Sequence, residues 1–202
     1  MSEALTPLTI SRPTISARLK KGTTRIHESI DQRVMAANPF TDLNRYGLFL
    51  HVQYQFHAAM KSLYQDSQLN GWLPGLAALS RLDAVEADLI ALDKPLPEQP
   101  PAVSPQSPYA ALGWLYCCEG SNIGAAFLSK AVAAIELNES HGAAHLASPS
   151  QGRATHWRRF RAQLDSLKLT EPQVIDAIDG AKDAFALYHR LLDATFGPSK
   201  LH

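Results

Sequence analysis

Apolar positions recur with helical spacing from the start of the chain's ordered pattern. Ile15, Leu19, Ile26, Ile30 and Val34 fall mostly at multiples of three or four, which puts them on one face of an amphipathic helix over about residues 14–36. Asn38-Pro39 ends that helix, because a residue before proline disfavours the α region. Thr41 is placed to cap a second helix through Leu43, Tyr46, Phe49, Leu50, Tyr54, Phe56, Met60 and Leu63, which is apolar nearly all round and so predicted to be buried. Gly71, Pro74 and Gly75 read as a connection, after which Ser80 is expected to cap a helix striped by Leu82, Val85, Leu89 and Leu92. Six prolines between Lys94 and Pro108 exclude regular structure there. Ser107-Pro108 then pairs an N-cap with a first-turn proline and opens a long helix, expected to reach about Leu137. Trp157, Phe160, Leu164 and Leu167 mark a further helix. Thr170-Glu171-Pro172-Gln173 is a capping box that opens the last one, which runs through Ile175, Ile178, Phe185, Tyr188 and Leu192 to a stop at Gly197-Pro198. No run alternates with period two for long enough to make a strand. The prediction is an all-α single domain of about six main helices over residues 14–197, with a flexible arm at 1–13 and a short tail at 198–202.

Composition narrows the partners. The 46 % hydrophobic content of 202 residues suffices for a single core. Lys plus Arg and Asp plus Glu are both 19, so net charge offers no case for nucleic acid or an anionic membrane surface. The N-terminus lacks a basic segment followed by an apolar run, and no stretch has the ~18 consecutive apolar residues of a membrane span. A cytoplasmic protein is expected, and with no feature marking an oligomer, a monomer. Cys117 and Cys118 are adjacent, a spacing that suits neither a disulfide framework nor a metal site, so they are expected to be reduced and buried.

One stretch departs from ordinary helix composition. Gly113–Leu128, GWLYCCEGSNIGAAFL, carries Gly120 and Gly124 one turn apart, although each costs about 1 kcal/mol against alanine in a helix interior. Such a pair leaves a helix face without side chains, against which a flat, bulky body can lie on backbone. Glu119 points about 100° away from Gly120 and is expected to make its contacts elsewhere.

Of eight histidines, most have unremarkable surroundings. His51 and His57 lie on the buried second helix and read as hydrogen-bonded core residues. His141 and His145 have an i, i+4 spacing that would suit a metal if helical, but Gly142 between them argues against it. His156, His189 and His202 have no suggestive company. His27 differs. Asp31 lies four residues on, on the same helical face, where a carboxylate accepts the proton of one ring nitrogen and leaves the other for a metal. Lys20 sits two turns earlier at nearly the same angle, about 10 Å along the axis. Arg158, Arg159 and Arg161 read as a solvated face.

Thr23-Thr24-Arg25-Ile26-His27-Glu28-Ser29-Ile30-Asp31, joined to the Leu112–Phe127 stretch with its Glu119-Gly120-Ser121-x-x-Gly124 motif, resembles the bacterial biliverdin-producing haem oxygenases. The resemblance extends from about residue 14 to 197 and includes the Gly152-Arg153-Ala154 turn and Lys182-Asp183-Ala184-Phe185. It implies a helical fold with haem sandwiched between a proximal and a distal helix. His27 matches the proximal iron ligand, with Asp31 steadying it. Gly120 and Gly124 match the distal glycines, whose backbones touch the haem face and leave room for O2. Ser121 would either order distal waters or bond back to a carbonyl one turn earlier. Lys20 and Tyr116 fall where some members hold the haem propionates; members lacking both seat the haem rotated, so their presence favours cleavage at the α-meso carbon. Phe185 and Tyr188 are expected in the pocket wall. By this resemblance haem is both substrate and cofactor, O2 the co-substrate, and the products are biliverdin (the IXα isomer), Fe2+ and CO, in the service of iron acquisition. No Gly-x-Gly-x-x-Gly follows a strand, so electrons must come from an external donor, a redox partner of the ferredoxin or flavodoxin reductase type, for which Arg158, Arg159 and Arg161 or Lys20-Lys21 offer a basic surface. A glycine-lined distal side also makes chemical sense, since a side-chain acid or base there would promote O–O cleavage, as in peroxidases. Two alternatives stay open: a haem-binding or trafficking protein without turnover, and a related all-α enzyme of the thiamin-degrading type that binds no haem.

Overall fold

A computed structural model describes residues 12–198, and within them seven α-helices and two single-turn 3-10 segments account for the regular structure. No strand occurs among the described residues, only isolated bridges of Asn138 with His141 and Gly142. The all-α expectation holds. The expected arm (1–13) and tail (198–202) lie outside the described residues except at positions 12, 13 and 198.

Local chemistry places most helix starts where the sequence predicts them. Helix α1 (Ile15–Ala36) follows Thr14, whose hydroxyl accepts the Ala17 N–H at 3.3 Å. Helix α5 (Pro108–Ala133) follows Ser107, whose hydroxyl accepts the Ala110 N–H at 3.1 Å. Helix α7 (Glu171–Phe196) opens on the complete capping box of Thr170 and Gln173. Helix α6 (Arg153–Asp165) lies between them.

Four boundaries differ from expectation. Helix α2 (Leu43–Gln65) is capped by Asp42 and not Thr41, because the Asp42 carboxylate accepts from both Asn44 and Arg45 N–H at 2.9 Å. Helix α3 (Ser67–Trp72) occupies part of the expected connection; at six residues it is too short to show a period. Helix α4 (Leu82–Ala91) has Arg81, not Ser80, at its N-cap position, and the Arg81 guanidinium donates instead to the carbonyls of His145 and Ala147. Helix α5 stops at Ala133 short of Leu137, because Glu136 takes a left-handed φ of 63° and Leu137 turns its N–H back to the Val132 carbonyl.

Helix α5 is the centre of the packing. Its longest contact is with α7, which in turn packs on α1 and α2, while α4 closes over α2. The α5·α7 contact is backbone on backbone. A methyl group at Gly113 would sit 1.8 Å from the Ala177 carbonyl oxygen, and one at Gly180 would sit 2.1 Å from that of Ala110. Ala177, Ala181 and Ala184, all fully buried, keep the rest of this contact thin. Among the described residues no helix is long and apolar enough to cross a membrane.

Since these obstacles are backbone atoms, no rotamer change relieves them. Gly180→Ala is therefore expected to destabilise the chain by about 3 kcal/mol or more, at the upper end of overpacking costs. Urea denaturation measures this, and a loss below about 1 kcal/mol would contradict so close an approach.

Candidate active site

Helix α1 is pinned at both ends and left exposed in the middle. Near its start, the Ser16 N–H and hydroxyl donate to the two carboxylate oxygens of Asp165, each at 2.7 Å, and Arg18 pairs with Glu171. Near its end, the buried Arg33 donates to Asp193 at 2.8 Å and to the carbonyl of Gly197. His27 lies between these anchors with 58 % of its side chain exposed. Its Nδ1 is 3.0 Å from an Asp31 carboxylate oxygen, so the proton sits on Nδ1 and the lone pair on Nε2. The edge of the imidazole meets Phe185 of α7, with ring centroids 5.7 Å apart.

Helices α1 and α5 both pack on α7 but scarcely on each other, so the space between them, floored by α7, is the candidate cleft. Its apolar wall gathers Ile26 of α1, Cys117 of α5, and Phe185 and Tyr188 of α7. Tyr188 accepts a hydrogen bond from Gln53 of α2 at 2.6 Å, and its ring stands edge-on to Phe56. Burial pushes the Tyr188 phenol well above its ordinary value, so it stays protonated. The α5 side is unusual for the most central helix of a domain: Ser121, Ile123, Gly124 and Phe127 are all exposed. A methyl at Gly124 would meet nothing within 4 Å, and one at Gly120 would touch only the ring of Trp157, at 3.4 Å. The chain's own packing therefore requires glycine at neither position. Ser121 donates to the Cys118 carbonyl at 2.6 Å, the second of the two contacts anticipated for it.

Lys20 is exposed one turn beyond Ser16, hence beside the α6 end that carries Asp165. Tyr116 is half-buried against Trp157, centroids 5.2 Å apart. Burial raises its phenol pKa, and the nearby Arg161 charge opposes that rise. Arg158, Arg159 and Arg161 are all exposed, as the solvated-face expectation has it, and the Arg161 charge also reaches Tyr116.

Behind α5 lies a polar cluster that the sequence did not reveal. Glu119 is buried and accepts from Tyr64 at 2.6 Å and from His156 at 2.8 Å. His57, also buried, has its Nδ1 3.7 Å from the Cys118 sulfur; burial pushes its pKa down to about 3, so it is neutral, and pushes the Cys118 thiol up to about 12. Both cysteines are free thiols, Cys118 buried and Cys117 half-buried. His141 and His145 are not helical partners: His141 lies in a turn, and His145 is buried with Nδ1 2.7 Å from Asp88. Among the described residues no group of three or more His, Cys, Asp or Glu is arranged to hold a metal ion. The cleft therefore offers one imidazole, not a protein-built metal cage.

The haem oxygenase family model matches residues 13–194. This chain belongs to the haem oxygenase family. It is 40 % identical over 196 residues to haem oxygenase PigA of Pseudomonas aeruginosa, covering 96 % of this chain and 99 % of that one. A haem oxygenase of Xanthomonas campestris is 30 % identical over 139 residues, covering 66 % of this chain and 82 % of that one. Among solved structures, the NO- and CO-bound haem oxygenase of Neisseria meningitidis superposes with a TM-score of 0.89 at 41 % identity, over 95 % of this chain and 96 % of that one. The haem oxygenase of Leptospira interrogans, at 18 % identity and a TM-score of 0.75, shares the fold. The residues present fit haem. An imidazole with its tautomer set by a carboxylate lies on α1, a helix face with space in place of a side chain lies on α5, and the wall between them is apolar.

If Gly124 serves a ligand and not the fold, Gly124→Ala should stabilise the haem-free oxygenase by about 0.5–1 kcal/mol while weakening hemin binding. Urea denaturation and a Soret titration measure the two effects; a loss of stability in the haem-free protein would mean that packing does require this glycine.

Proposed function

We propose that this haem oxygenase binds haem in the α1–α5 cleft with His27 as its axial ligand and converts it, with O2 and reductant, to biliverdin, Fe2+ and CO. The observation that carries the proposal is the His27–Asp31 pair on α1 together with an α5 face on which Gly124 is exposed and unpacked. When bound, haem supplies both the iron that activates O2 and the ring that is cleaved. Asp31 holds the His27 tautomer, so that Nε2 offers a neutral donor. Across the cleft, the Gly120–Gly124 segment adds no side-chain acid or base, and the Ser121 hydroxyl is already committed to Cys118. Hydrogen-bond donation from that face is then left to backbone and ordered water, which suits oxygenation of the ring better than peroxidase-type O–O cleavage.

Lys20 and Tyr116 orient the haem by its carboxylates, with Arg161 beside them, and this seating favours the α-meso carbon and the IXα isomer. Electrons come from a separate reductase or small redox protein; the exposed Arg158 and Arg159 suit an acidic one. The chain works as a cytoplasmic monomer in iron acquisition. A trafficking protein without turnover would use the same His27 and glycine face, and the test below distinguishes it.

Hemin-loaded protein given reductant in air is expected to lose its Soret band, release CO and yield biliverdin that runs as the IXα isomer; intact haem after reduction would leave only the binding role. His27→Ala should remove the axial-ligand spectrum while leaving apo stability within about 0.5 kcal/mol, as for surface substitutions generally, because His27 is mostly exposed. Lys20→Ala should broaden the isomer mixture, and an unchanged single isomer would remove Lys20 from haem seating.

A further inference from the structure

Glu119 immediately precedes the first glycine of the exposed α5 face, yet its side chain is only 2 % exposed. Three donors close on it. Tyr64 of α2 donates to Oε1 at 2.6 Å, His156 of α6 donates from Nε2 to Oε2 at 2.8 Å, and Asn122, one turn on, donates to Oε2 at 3.3 Å. Helix α6 takes a second hold one residue later, where Trp157 lies over Gly120 and against Tyr116. On the far side of the pair, a cavity of about 280 Å3 lined by Arg81, Asn122, Ser148 and His156 provides no packing to replace these bonds.

A buried carboxylate seldom stabilises a fold more than an apolar side chain of the same volume, because desolvation offsets the attraction to its partners. What it adds is direction, since each hydrogen bond demands a short distance and a near-linear angle, whereas methylene contacts slide. Gly120 has no side chain with which to fix the rotation of the helix at that point.

We propose that Glu119, gripped by His156 and Tyr64, is a positioning residue that fixes the height and rotation of α5 at Gly120, and through them the separation of the distal helix from the haem plane. This rests on the haem oxygenase function proposed above. Its effect acts through backbone: Glu119 touches neither haem nor O2.

The test compares Glu119→Gln, His156→Phe and the double variant Tyr64→Phe/Glu119→Met in the full chain. The double variant replaces the polar grip by apolar volume without orphaning the Tyr64 hydroxyl. Its thermal midpoint is expected to stay within about 5 °C of the parent. The amide resonances of Gly120 and Gly124 in the haem-free protein should nevertheless shift, and hemin affinity should fall on the order of tenfold, about 1.4 kcal/mol. Glu119→Gln, which keeps an acceptor for Tyr64, should fall between parent and double variant. Unmoved glycine amides with parental hemin affinity would overturn the proposal. So would a large fall in midpoint with unchanged affinity in the folded fraction, which would mark Glu119 as a core polar group only. Should the double variant not fold, His156→Phe decides by the same two readouts. Should the parent bind no hemin, the haem function fails separately, and the glycine amides of the haem-free variants still decide the positioning role.

Discussion

The structure depends on one close approach, the backbone contact of α5 with α7 at Gly113 and Gly180. Two helices that meet without intervening side chains have little freedom to rotate or slide, because every displacement drives carbonyl oxygens into neighbouring backbone. Gly113, Gly120 and Gly124 lie on one stripe of α5, since steps of seven and eleven residues return to within about 20° of the same angle. Setting the first of these against α7 therefore sets the direction of the other two. The stripe begins as an internal contact and ends exposed in the cleft, so the helix that centres the core also forms one wall of the site.

Helix α1 is held by a different chemistry. Its attachments are polar and terminal, at Ser16 with Asp165, Arg18 with Glu171 and Arg33 with Asp193. Between them, Gly22 lies against Ile178 and the His27 ring against Phe185, both on α7. Helix α7 is thus the common reference for the two walls, and Phe185 and Tyr188 make it the floor as well. A ligand seated between α1 and α5 would meet two walls registered on the same third helix rather than on each other, which is how the cleft stays open without a side-chain bridge across it.

What could be read from the sequence was whatever depends on near neighbours in the chain. Thr14, Ser107 and Thr170 cap helices because an N-cap acts on amides two or three residues away, and the His27–Asp31 pair follows from helical periodicity alone. Errors arose where two local signals competed, as with Thr41 beside Asp42, or where a helix was too short for periodicity, as with α3. Long-range pairings left no trace. His156 had no suggestive company because its carboxylate lies 37 residues earlier, on another helix. The i, i+4 spacing of His141 and His145 pointed the wrong way, since the true partner of His145 is Asp88 on α4. The glycines show this most clearly: Gly120 and Gly124 stand out as a spaced pair, whereas nothing local singles out Gly113 and Gly180, which the fold can least do without.

Each element around the cleft departs from ordinary helical packing. A central helix exposes glycine and phenylalanine, a histidine stands largely in solvent with its partner, and a carboxylate is buried behind the glycines. Taken singly these features destabilise or are neutral, with two helix-interior glycines alone costing about 2 kcal/mol. A chain that elsewhere caps its helices and fills its core has no folding reason to retain all three in one place. Several such features gathered in one region are what selection for a ligand leaves behind. Here they share a geometric logic: the glycines remove side chains from one wall, Asp31 frees a nitrogen on the other, and Glu119 holds the glycine wall in place from behind.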